Sequence, residues 1–181
     1  MTLLDIQLFV WLNAVPGTPA WRIALAAAIS NWLPALLVLL LAAMAAGRPA
    51  WRRTLWAALV SLLIAWVSVR VFREYLPMPR PAALDIGTQW LPQGERPGFP
   101  SLHATGAFAV AVMVLRLHFD RWGAAYVVAA ALVALSRVFL GLHFPTDIVV
   151  GAMLGALIAL VVERALVARQ WRVLRRAAAP S

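Results

Sequence analysis

The chain has 181 residues, of which 64% are hydrophobic and 13% charged, whereas soluble domains carry about 25% charged residues. With a mean hydropathy of +0.84, a water-soluble enzyme and a disordered chain are both excluded, since neither could keep so much apolar surface from water. All 16 basic residues are Arg, the net charge is +9 and Cys is absent. Disulfide scaffolds, thiolate metal sites and cysteine nucleophiles therefore drop out, and the Arg excess suits lipid headgroups better than nucleic acid, which is not an expected partner.

In chain order, residues 3–15 form an apolar but short stretch, interrupted by Asp5, Gln7 and Asn13 and ended by Pro16-Gly17. An interfacial or re-entrant helix within residues 1–16 is predicted, or else a short sixth span. It has no basic leader and does not read as a cleaved signal. Five longer segments, 23–46, 54–72, 101–117, 122–140 and 146–162, approach the roughly 17–25 apolar residues of a spanning helix. Their Leu, Ala and Val runs lack strand-like alternation. Breakers or charges separate them, and Pro34 should kink the first. Gly151 and Gly155 offer a small-residue face for close helix packing. The prediction is an all-α, polytopic membrane helix bundle of five spans, one domain over 1–181, with a polar loop at 73–100 and an Arg-rich cytoplasmic tail at 163–181.

Five spans collect Arg48, Arg52, Arg53, Arg116, Arg121, Arg164, Arg169, Arg172, Arg175 and Arg176 on one side, which the positive-inside rule makes cytoplasmic. Arg70, Arg73, Arg80, Arg96, Arg137, His103, His143 and Asp147 then share the exterior or periplasmic side. His118 falls on the other and is a bystander.

The loop 73–100 contains Arg73 and Arg80 and closes on Phe99-Pro100-Ser101-Leu102-His103. Ser101 suits a helix N-cap, and N–H groups at a helix start attract anions. With the planar forks of two Arg, the segment reads as a phosphate cradle. Further on come Ser136-Arg137, His143 and Asp147. The last two are four residues apart, so they share a helix face, or the Gly141–Pro145 turn folds the carboxylate back onto the imidazole. Either arrangement fixes the tautomer of His143 and frees its other nitrogen as a nucleophile. Two His at separate helix ends allow one to attack phosphorus while the other protonates the departing oxygen. No carboxylate cluster accompanies them, so no metal and no cofactor are expected. Each feature has an ordinary counterpart: Arg snorkelling to lipid phosphates, Pro-Ser capping, a solvated His–Asp pair. Their joint spacing on one side favours the chemical reading.

Arg73-x6-Arg80-Pro81, Pro100-Ser101-Leu102-His103 and Ser136-Arg137-x5-His143-x3-Asp147 resemble, in order, the three-part signature of the type-2 phosphatidic acid phosphatase and vanadium haloperoxidase superfamily. That signature reads K-x6-R-P, P-S-G-H and S-R-x5-H-x3-D; here Arg73 replaces its Lys and Leu102 its Gly. The small size, Leu8-Phe9-Val10-Trp11-Leu12-Asn13-Ala14 and the stretch 136–147 resemble small bacterial undecaprenyl pyrophosphate phosphatases of the BcrC type. The resemblance implies His143 as nucleophile, Asp147 as its orienting partner and His103 as general acid. Arg73, Arg80, Ser101, Leu102 and Arg137 would hold the phosphoryl group. It also implies a bacterial cytoplasmic (inner) membrane enzyme that hydrolyses an isoprenyl pyrophosphate through phosphohistidine. The rivals are action on phosphatidylglycerophosphate, phosphatidate or lipid A, and a non-catalytic lipid-binding or lipid-moving protein.

Overall fold

Apolar runs without alternation become helices, because lipid offers no partner for a free backbone N–H or C=O. The computed structural model describes residues 2–94 and 96–177, with side chains through Ala168. Among these the helices are α1 (Leu3–Leu12), α2 (Ala20–Gly47), α3 (Pro49–Tyr75), α4 (Leu102–Leu117), α5 (Arg121–Phe139) and α6 (Pro145–Ala177), plus a short 3-10 turn at Pro81–Leu84.

Four helices are long and apolar enough to cross a membrane: α2, α3, α5 and α6 as far as Ala168. The predicted count of five is therefore met in four. The segment 101–117 folds as α4, with only 16 residues, about 24 Å at 1.5 Å per residue against a hydrocarbon core of about 30 Å. Its sides are covered by α3, α5 and α6 rather than lipid. α2 runs unbroken through Pro34. At 10 residues, α1 is too short for a sixth span.

α6 lies directly on α4. A Cβ at Gly155 would run into the Thr105 carbonyl oxygen, and one at Gly151 would come within 2.8 Å of the Ser101 carbonyl oxygen, so the small-residue face has the packing role its spacing suggested. The core between them is rich in small residues, including Ala58, Ala65, Ala109, Ala111, Ala130 and Ala159 around Met113 and Val133. Close backbone approach aligns the starts of α4 and α6, and the Ser101 N–H donates to the Asp147 carbonyl at 3.0 Å.

At the opposite end of the bundle, His118 stacks on Trp51 with centroids 3.7 Å apart and shares a 2.8 Å hydrogen bond with Thr54 Oγ1. Burial lowers its pKa from the ordinary value. His118 is a packing residue there, beside the Arg116–Glu163 pair at 2.9 Å. α6 continues past Arg164, but the side chains of Arg169, Arg172, Arg175 and Arg176, assigned to the tail, lie outside the described residues, as does the segment 178–181.

Candidate active site

Three chain reversals meet at the end of the bundle remote from His118. α5 stops after Phe139, and Gly141, at φ 75°, turns the chain back. A Cβ there would strike the Thr88 carbonyl oxygen, so the position requires glycine. Leu142 N–H donates to the Arg137 carbonyl at 2.9 Å, and the tight turn aims His143 inward, 1% exposed. Asp147, in the first turn of α6, accepts the Phe144 N–H at 3.0 Å, which is half of a capping box. The same oxygen, Oδ2, lies 3.1 Å from His143 Nδ1. Of the two arrangements the sequence allowed, the turn folds the carboxylate back onto the ring. Nδ1 then carries the proton, and Nε2 presents its lone pair.

Arg80 stands against that lone pair, with Nη1 3.3 Å from His143 Nε2. Its guanidinium is fixed by the Leu142 carbonyl at 2.9 Å and by the Arg96 carbonyl at 2.9 Å. Burial, and then the charge of Arg73, lower its pKa to about 10, which leaves it charged at neutral pH. His143 is held well below the ordinary imidazole value, first by burial and then by Arg80, Arg137 and Arg73.

Arg73 belongs to the last turn of α3, not to the loop, and its Nη2 donates to the Pro100 carbonyl at 3.2 Å. Arg137, buried near the end of α5, donates to Ser30 Oγ on α2 at 2.6 Å. Ser101 occupies the N-cap position of α4, yet its hydroxyl caps nothing. Instead Ser101 Oγ, Arg73 Nε and Arg137 Nε are buried polar atoms without a hydrogen-bond partner. A buried polar atom left unpaired costs about 1–3 kcal/mol, and three at one place suit an anion that accepts several donors. His103, on the first turn of α4, lies close enough to His143, Arg137, Arg73 and Arg80 for each to act on it electrostatically. The structure thus brings together His103, His143, Asp147, Arg73, Arg80, Arg137 and Ser101. Leu102 contributes its place at the helix start, while its side chain faces elsewhere.

That side chain and His103 line an apolar cavity of about 320 Å³ between α2, α3 and α4, together with Pro34, Leu62, Trp66 and Gly106. One histidine therefore borders both a polar, cation-rich site and a greasy groove.

Three supporting residues escaped the sequence reading. Ser30 anchors Arg137. Buried Asp5 accepts the Thr146 N–H at 3.0 Å and the Thr146 hydroxyl at 2.7 Å. Asn13 ties the loop to α5, accepting the Thr88 N–H at 2.7 Å and donating to the Thr88 and Phe139 carbonyls, each at 3.0 Å. The available signal was the same for all three: a polar residue in an apolar segment needs a partner.

These features define a class. The model of the PAP2 superfamily matches residues 54–171, and the chain belongs to that superfamily. It is 34% identical over 171 residues to the Escherichia coli (strain K12) protein named "Putative undecaprenyl-diphosphatase YbjG", covering 90% of this chain and 84% of that one. It is 38% identical over 64 residues, 35% of this chain and 31% of the other, to "Bacitracin transport permease protein BcrC" of Bacillus licheniformis. Its fold is similar to that of the Aquifex aeolicus LpxE crystal structure, with TM-score 0.78 and 22% identity, covering 90% of this chain and 96% of that one.

Proposed function

We propose that the protein is a multi-pass lipid phosphatase that removes the terminal phosphate of an isoprenyl diphosphate, such as undecaprenyl diphosphate, at the outer face of a bacterial cytoplasmic membrane. The observation that carries this reading is the position of His103, between the cation-rich site around His143 and the apolar cavity. A substrate with a charged head and a long apolar tail fits both at once. In this reading α4 completes a fifth crossing, and the Arg-rich end containing Arg116 and Arg164 faces the cytoplasm.

His143 Nε2 attacks the terminal phosphorus in line, while the bond from phosphorus to the bridging oxygen breaks. His103 gives its proton to that oxygen, and the lipid monophosphate leaves. Charge spreads over the three equatorial oxygens, where Arg73, Arg80, Arg137 and Ser101 meet it with donors fixed before the reaction. Water, losing its proton to His103, then cleaves the phosphorus–nitrogen bond and frees both phosphate and His143.

The test is phosphate release by purified protein from undecaprenyl diphosphate, phosphatidylglycerophosphate, phosphatidate and lipid A, with His143→Ala run alongside. The expected result is highest kcat/KM on the diphosphate and loss of turnover in the variant. Preference for a monophosphate lipid would overturn the substrate assignment. Full turnover by His143→Ala would overturn the mechanism.

A further inference from the structure

A diphosphate lipid brings two phosphoryl groups, and the residues around His143 account for only the one that reacts. α3 supplies a ladder beyond them. Trp66, Arg70 and Arg73 follow at spacings of four and three on one flank of the helix, rising about 10 Å in all. Trp66 lines the apolar cavity with His103. The Arg70 guanidinium sits 4.2 Å from the centroid of the Trp66 ring, and Arg73 reaches the Pro100 carbonyl at 3.2 Å. Arg70 therefore stands between the greasy groove and the reacting site. It also lines a cavity of about 500 Å³ with Arg73, Glu74, Pro77, Arg96 and Pro97. Among the described residues three guanidiniums face one carboxylate there, and no salt bridge between described residues ties any of the three. The Arg96 carbonyl fixes Arg80 Nε at 2.9 Å, so the backbone that carries Arg96 is held beside the reaction centre.

We infer that Arg70 and Arg96 form a second phosphoryl subsite, which takes the phosphate that stays on the lipid and so selects diphosphate over monophosphate lipids. The inference rests on the substrate reading above and extends it to residues outside the three-part signature. With the terminal phosphate against His143 and the bridging oxygen toward His103, the remaining phosphate falls at the groove mouth. There Arg70 is steadied by the Trp66 ring and offers a planar fork to its oxygens.

Binding can be read without turnover by titrating purified protein with methylenediphosphonate, which has two phosphoryl groups, and with methylphosphonate, which has one. The wild type should bind the first about tenfold tighter. Arg70→Gln and Arg96→Gln should each cut that preference to about threefold or less, leaving methylphosphonate affinity unchanged. Arg70→Lys, which keeps the charge but not the fork, should fall between. Equal wild-type affinities for the two probes, or variants that weaken both probes alike while unfolding at the wild-type temperature, would overturn the subsite. If Arg70→Gln does not fold, the Arg70→Lys and Arg96→Gln arms decide by the same criterion. Lipid turnover separates the two readings. Wild-type preference for monophosphate lipids with the probe preference intact sinks the substrate reading and keeps the subsite. Hydrolysis of diphosphate lipid without Arg70-dependent probe preference does the reverse.

Discussion

His143 Nδ1 and Asp147 Oδ2 lie 3.1 Å apart, and the same oxygen takes the Phe144 N–H at 3.0 Å. One carboxylate thus closes the start of α6 and orients the ring. Asp147→Asn keeps an acceptor for one of these donors but removes the charge that stabilises a positive imidazole. It should lower kcat by about 10²–10⁴-fold, with KM changed by less than about threefold. Steady-state kinetics on purified protein checks this, and an unchanged kcat would reduce Asp147 to a cap.

The pH dependence follows from the surroundings of His143. Burial comes first and the charges of Arg80, Arg137 and Arg73 second in holding its pKa well below the ordinary 6.5. A nucleophile must be unprotonated, so the acid limb of kcat/KM should fall well below pH 6.5. Arg80→Gln removes the largest of the three charge effects and should move that limb upward, at lower overall activity. The sign for stability follows from the same shift. The unfolded chain binds this proton near pH 6.5 and the native chain only at lower pH, so stability is full above the unfolded value and is lost as pH falls toward the native one. An acid limb that stays at pH 6.5 or above would overturn this reading of His143.

Arg137 depends on Ser30, whose hydroxyl takes its Nη1 proton at 2.6 Å. Ser30→Ala leaves a buried guanidinium short of a partner, a change worth about 1.5–3 kcal/mol for a bond to a charged group. It should lower kcat/KM by about 10–100-fold. Ser30→Thr keeps the hydroxyl and should recover most of the loss. Failure of threonine to recover activity while the variant folds would show that packing, not the hydrogen bond, is what matters.

The legible parts of the molecule were those written in period and spacing. Apolar runs placed α2, α3, α4 and α5 within a few residues at both ends, and the start of α6 within one, because a lipid-facing helix must be apolar along its length; α6 itself continues to Ala177, past the predicted apolar end at 162. Gly151 and Gly155 pointed correctly to close packing. What the apolar run at 101–117 did not show is that α4, at 16 residues, is shorter than a helix usually needs to span a membrane unaided. Ser101 read as a cap because Pro-Ser before a helix commonly is one, whereas its hydroxyl here is left free for another partner. The long-range ties of Ser30, Asp5 and Asn13 join segments 107, 141 and 126 residues apart. Spacing along one chain cannot announce such partners.

Asp5 offers the clearest way to ask whether the first helix serves the site. Its carboxylate is 2% exposed and takes both the N–H and the hydroxyl of Thr146, at 3.0 and 2.7 Å, one residue before Asp147. The contact pins α1 to the N-terminus of α6, where a negative charge is favourable. Asp5→Ala leaves the Thr146 N–H without an acceptor in a buried place, at a cost of about 1–3 kcal/mol, and should lower the apparent Tm by a few degrees, about 2–8 °C. Asp5→Asn keeps an acceptor for the N–H, while the rotatable Thr146 hydroxyl can turn to accept from the new amide, so its effect should be smaller. If the contact steadies the turn that carries Asp147, Asp5→Ala should also lower kcat by about 3–10-fold with KM little changed. In that case Asp5→Ala and Thr146→Ala should not add in the double variant, because both remove one shared contact. Strictly additive losses would mean that the two residues act apart.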